Sequence, residues 1–219
     1  MKERGGASGD VVPRLARLVR TVVKLAEKVL DDPQPEPVKL GDGGYADRVY
    51  IGILSLREAT TDTYAEVVDR VASTPRLQAA LGLDEELAGP PAPSTVCEAA
   101  NRLNAAFWCT MLAITTTLFS LSGVCAIDAS GFDRSAASRR YEERCGYTIR
   151  SLKTTLLVDI ESLAILDVHC STGKPHDTQI GRQVVNRNRE NAAVDVLLGD
   201  KGYDWSDLRQ RCREAGIRR

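Results

Sequence analysis

Two short, largely apolar runs in the second half of the chain, Val124–Ile127 and Val194–Leu198, each lead into an aspartate, Asp128 and Asp200. A run of this length between turn residues reads as a buried strand, and the acid falls where the strand should end. Between them, SLKTTLLVDIES (151–162) is rich in Thr, Leu and Val and closes on the turn residues Asp159, Glu161 and Ser162. LAILDVHCS (163–171) follows at once, so the two segments predict an antiparallel hairpin. A helix from Thr178 to about Arg189 comes next, and after Asp200 a helix over Asp207–Ala215 is capped by Ser206 and closed by Gly216. Strand, strand, strand, helix, strand, helix is a mixed α/β order.

The first 120 residues have a different character. Val11, Leu15, Leu18, Val22, Leu25 and Val29 form one helical stripe with Arg and Lys on the other face. DDPQPEPVK (31–39) ends that helix, because three prolines in seven residues cannot continue it. Tyr45–Arg70 reads as two helices, the second starting after the cap residues Thr61-Asp62-Thr63. A third starts at Ser73-Thr74-Pro75 and ends near Gly82. After GPPAPS (89–94), a long helix capped by Ser94 is predicted from Thr95 to about Leu121. Three regions result: an N-terminal helix and linker (1–40), a helical region (41–121) and an α/β region (122–219).

Composition excludes several classes. A hydrophobic share of 43% and a charged share of 27% are ordinary for a globular protein. Six cysteines form no C-x-x-C pair and stand at no zinc spacing from His, so free cytosolic thiols are expected. The N-terminus lacks the apolar run of a signal peptide. Ala105–Ile127 has no charge and could span a bilayer, but it holds six Ser or Thr, and a buried helix running into a buried strand is the better reading. Net charge is −1; the first 125 residues carry 13 Lys+Arg against 16 Asp+Glu, the remainder 16 against 14 with a strong Arg bias. Arg suits bidentate phosphate contacts.

Carboxylates at neighbouring strand ends repel unless a divalent cation lies between them, which suits phosphoryl chemistry with Mg²⁺ or Mn²⁺. On spacing alone, a pair such as Asp128 and Asp200 is more often a turn or cap feature than a metal site. The words around them narrow the choice. AIDASGF (126–132), TIRSLKTTLLVDIESLAILDVHCSTGKPHDTQI (148–180) and LLGDKGYDW (197–205) resemble the DDE transposases of prokaryotic insertion sequences, in the group numbered four and five. The resemblance runs over roughly residues 45–219 and implies an RNase H-like catalytic domain, with Asp128 and Asp200 as the first two catalytic and metal-binding acids. It also implies two-metal cleavage and strand transfer on double-stranded DNA, at terminal inverted repeats and a target site, by a homo-oligomeric protein at the nucleoid in the cytoplasm.

One departure stands out. The family's third acid is a Glu on a helix further downstream, in a Tyr-Arg-Glu-Lys signature. This sequence ends at Gly216-Ile217-Arg218-Arg219, where the next strand is expected, and Glu214 belongs to the wrong helix. The expectation is a C-terminally truncated form, with an incomplete sheet, that is inactive alone. Lys201 reads as a DNA-phosphate contact or a solvated strand-end cation. His176 reads as a phosphate contact, and Asp177 beside it as a helix cap. Arg139, Arg140, Arg144 and Arg150 could line a DNA groove, although Glu142 and Glu143 interrupt them. Tyr203 is expected to pack the turn and His169 to sit in the core. The net charge of −3 argues against strong DNA affinity in the helical half. Competing readings are an RNase H-fold nuclease and a non-catalytic DNA-binding or dimerising remnant that modulates a full-length transposase.

Overall fold

A computed structural model of the chain describes residues 14–30, 39–40, 44–83, 89–133, 151–172, 176–188 and 194–218. Two compact units result, Met1–Met111 and Leu112–Arg219.

The first unit is helical. It contains α1 (Arg14–Leu30), the short antiparallel strands β1 (Lys39–Leu40) and β2 (Gly44–Tyr45), α2 (Asp47–Thr60), α3 (Tyr64–Ala72), α4 (Pro75–Leu81) and α5 (Pro93–Arg102). α1 buries Ala16, Val19, Val23 and Ala26, the three-and-four spacing of one apolar face. These side chains meet Val49, Ile53, Val67, Val71, Leu81 and Val96 in one core. Gly52 sets the approach of the helices: a Cβ there would lie 2.6 Å from Leu81 Cδ2 and 3.1 Å from Val23 Cγ2. α3 starts as predicted, with Thr63 accepting from the Glu66 N–H while the Glu66 carboxylate accepts from the Thr63 N–H, a reciprocal cap contributing about 1 kcal/mol.

The predicted long helix from Thr95 is broken. α5 ends at Arg102, Leu103 is extended, and α6 (Ala105–Thr115) restarts with the Asn104 side chain accepting from the Phe107 N–H. A 3₁₀ turn (Thr116–Leu118) follows. α6 is also less buried than expected: Met111 is buried, whereas Leu112 and Ile114 are half-buried and Leu118 and Phe119 are exposed. At 11 residues, or about 17 Å, α6 is short of a bilayer core, and among the described residues no helix is long and apolar enough to cross a membrane.

The second unit is a mixed sheet with helices. β3 (Val124–Asp133), β4 (Ser151–Asp159) and β5 (Ile165–Ser171) form an antiparallel meander; α7 (Asp177–Asn188) then crosses over to β6 (Val196–Gly199), and α8 (Ser206–Glu214) follows. The strand order is β5-β4-β3-β6, with β6 parallel to β3. Cys125, Ile127, Leu157 and Leu197 of the strands pack with Ile180, Val184 and Val185 of α7 and Leu208 and Cys212 of α8. Arg218 continues the sheet beyond β6 by one parallel bridge to Val196, its N–H donating to the Asp195 carbonyl at 2.8 Å. This α/β arrangement after a helical region is in keeping with an RNase H-like fold.

Candidate active site

β3 and β6 run side by side in register, Cys125 opposite Leu197 and Ile127 opposite Gly199. Asp128 and Asp200 are therefore each the next residue on adjacent parallel strands, whose spacing is about 4.8 Å. The core-facing residues of β3 are Cys125 and Ile127, so alternation turns Asp128 to the other face, where it is exposed. Its Oδ1 accepts from the Ala129 N–H at 2.8 Å. Asp200 caps the 3₁₀ turn Lys201–Tyr203, its Oδ1 accepting from the Gly202 N–H at 2.9 Å, and it too is exposed. Only Asp200 follows the end of its strand; Asp128 lies within β3, which was expected to stop there but continues to Asp133 because it stays paired with β4. Two solvated carboxylates side by side are hard oxygen donors of the kind Mg²⁺ and Mn²⁺ prefer.

The turn after Asp200 is shaped by two glycines and a tyrosine. Tyr203 is buried, as expected. A Cβ on Gly199 would come within 3.2 Å of both Ile127 Cγ2 and Tyr203 Cβ, and one on Gly181 of α7 within 3.0 Å of Tyr203 Cδ1. The ring thus fills a slot between β6 and α7 that only glycines leave open. Its phenol is pushed above its ordinary range, first by burial and then by the charge of Asp177, with Asp128 and Asp200 adding to it. It therefore stays protonated. Neither the Tyr203 hydroxyl nor the buried Thr155 hydroxyl has a hydrogen-bond partner among the described residues.

Asp177 is the residue that sequence reasoning undervalued. It is the first residue of α7, with His176 ahead of it supplying the carbonyl that opens the helix, so it is not the cap itself. Its carboxylate pairs with Lys153 of β4, Nζ to Oδ1 at 2.5 Å. Its Oδ2 also lies 3.5 Å from the point where a Cβ would stand on Gly202, a point 3.0 Å from Asp200 Oδ1. Asp177 and Asp200 therefore flank the same small gap. The signal available in the sequence was only that Asp177 neighbours His176; the Lys153 pairing joins residues 24 positions apart (153 to 177) and is invisible to local patterns.

Lys201 and His176 are exposed at this end of the sheet. Arg139, Arg140, Arg144 and Arg150 lie outside the described residues. His169 is half-buried on β5, its Nδ1 3.4 Å from Arg187 Nη1, and burial followed by the Arg187 charge lowers its proton affinity. Among the described residues no group of three or more His, Cys, Asp and Glu side chains is placed to hold a metal, and the five described cysteines are free thiols.

A different acid organises the base of the sheet. Asp159, at the end of β4, is fully buried and accepts from the N–H and Oγ–H of Ser122, the N–H of Gly123, and the N–H and Oγ–H of Ser162. The Ser162 N–H first, then the hydroxyl of Ser162 and the groups of Ser122, hold its carboxyl well below the usual carboxylate range against the opposing effect of burial. It ties the entry of β3 to the β4–β5 turn, and nothing in its surroundings leaves it open to a ligand.

Residues 120–219 match the family model of the transposase DDE domain, and the match contains Asp128, Asp200 and the whole sheet. No curated protein matches the chain. Family members catalyse DNA transposition, a recombination reaction, and generally use divalent metals. Residues 120–219, which carry Asp128 on β3 beside Asp200 just past the end of β6, are thus similar to the DDE domain of transposases.

Proposed function

We propose that Asp128 and Asp200 are the first two acids of a metal-dependent phosphodiester-transfer site that acts on double-stranded DNA at the ends of an insertion sequence. The observation that carries this reading is the register: parallel β3 and β6 bring Asp128, within β3, beside Asp200, just past the end of β6, inside a segment that matches a transposase DDE domain. Asp128 and Asp200 would hold Mg²⁺ or Mn²⁺, and the bound metal supplies an activated water and charge stabilisation at the phosphoryl group. The chain's own part is to fix the two carboxylates: Ala129 N–H orients Asp128, Gly202 N–H orients Asp200, and Tyr203 locks the turn beneath them. Lys201 and His176, exposed at the same end, are proposed to contact DNA phosphates.

A second reading is supported by a specific feature. Among the described residues no group of three or more His, Cys, Asp and Glu side chains is placed to hold a metal, and Asp177, which flanks the gap beside Asp200, is paired with Lys153. On this reading the chain occupies DNA and metal without turning over by itself, and modulates a full-length transposase. One experiment addresses both. Mn²⁺ binding to the full chain, followed by electron paramagnetic resonance, is expected to fall at least tenfold in Asp128→Asn and in Asp200→Asn, with melting temperature unchanged within a few degrees. Unchanged Mn²⁺ binding in both variants would refute the site. Nicking of DNA in the presence of Mn²⁺ by the wild-type chain selects the catalytic reading; metal binding without nicking selects the other.

A further inference from the structure

We infer that α1 is a docking surface for the phosphate backbone of duplex DNA. Arg14, Arg17, Arg20, Lys24 and Lys28 are all exposed on this helix. At 100° per residue they fall within an arc of about 120°, beside the arc of Ala16, Val19, Val23 and Ala26 that faces the core. None of the five has an ion pair or hydrogen bond among the described residues. The contrast with other helices is direct: Arg57 pairs with Glu58, Arg70 with Asp62, Arg102 with Asp47, Arg209 with Asp204 and Arg211 with Asp207. The single acid of α1, Glu27, is taken by the buried Arg48, Nε to Oε1 at 3.5 Å. Cations spaced three and four residues apart repel one another along the whole helix, and a polyanion relieves that repulsion.

Charge in this half of the chain is therefore segregated. Its first 125 residues hold 13 Lys and Arg against 16 Asp and Glu; without the five and the one of α1, 8 stand against 15. The overall negative sign, which argues against nucleic acid when taken as a sum, hides a cationic strip from Arg14 to Lys28, about 21 Å long. A lipid surface does not fit, because the apolar face that would enter it is buried in the unit's own core. The choice of duplex DNA among polyanions rests on the transposase reading above.

The test is fluorescence anisotropy of a labelled short duplex titrated with the full chain at salt concentrations from about 50 to 200 mM. Five phosphate contacts predict a slope of about −4.5 in log K against log salt, roughly a 500-fold loss of affinity across that range. Arg17→Gln with Lys24→Gln, both at exposed positions, flattens the slope by about 1.8; the charge reversal Arg17→Glu with Lys24→Glu lowers affinity at least tenfold. Asp128→Asn, which tests the metal site, leaves this binding in place, so the two proposals fail separately. Unchanged affinity and slope in both α1 variants overturns the inference. So does failure of the wild-type chain to bind the duplex, or its displacement from DNA by an equal charge of poly-glutamate, which would make an acidic protein the better partner.

Discussion

A buried carboxylate survives only if its lone pairs are filled, and Asp159 fills them with five donors from Ser122, Gly123 and Ser162. Each serine hydroxyl also accepts a backbone N–H, from Val124 and Ala164, so the knot is satisfied at every member. Asp159→Asn would place an amide donor against backbone donors and is expected to cost about 2–3 kcal/mol at neutral pH. The sign of the pH dependence follows from the depressed carboxyl. Its stabilisation is fully present above the unfolded value of about 3.9 and is lost as pH falls through the folded value. Urea midpoints measured from pH 7 down to pH 3 should therefore show wild type approaching Asp159→Asn in acid. A gap that does not narrow would mean the charge of Asp159 contributes nothing to stability. In the sequence this residue read as one more turn acid. Ser122, 37 positions away, could not be paired with it by any local pattern.

At the scale of elements, the segment β6–turn–α8 illustrates why a five-residue motif carries information. Gly199, Asp200, Lys201, Gly202 and Tyr203 are each used: the glycines admit the tyrosine ring and the tight cap, and the ring closes the slot between β6 and α7. Gly199→Ala puts a methyl 3.2 Å from Ile127 and from Tyr203, in a packed place, and is expected to destabilise by about 1–3 kcal/mol. It should also weaken Mn²⁺ binding, because β6 must shift against β3. Gly131→Ala meets nothing within 4 Å and should stay within about 0.5 kcal/mol of wild type. Thermal melts with Mn²⁺ titrations on both variants give the comparison; equal behaviour would remove the packing argument. The strands, the hairpin and the Thr63 cap were legible, because each rests on a local period or cap; Asp200 does follow β6, whereas β3 runs on past Asp128 to Asp133 along its antiparallel ladder with β4. What escaped was set by partners distant in sequence or by a single side chain. Asn104 splits an apolar run that has helical propensity throughout, since an Asn accepting the Phe107 N–H starts a new helix. Lys153 and Asp177 meet only because β4 and the start of α7 come together.

At the scale of the whole molecule, the described residues form two hydrophobic cores, each built within one unit. Leu81 is 1% exposed in the helical core, and Leu157 is 1% exposed between the sheet and its helices. Among the described residues no buried side chain belongs to both clusters, so the energetic effect of a cavity should stay with the unit in which it is made. Truncating either leucine to alanine removes a fully buried side chain and is expected to cost about 2–5 kcal/mol locally. Hydrogen exchange resolves the consequence by segment. Leu81→Ala should speed exchange across α1–α4 and leave β3–β5 as in wild type, while Leu157→Ala should do the reverse. Duplex binding through α1 should then weaken in the first variant and Mn²⁺ binding in the second, tying each proposed activity to the core that supports it. If Leu81→Ala instead opened β3 and β4 to the same extent as α2, the assignment of each cavity's effect to its own unit would fail.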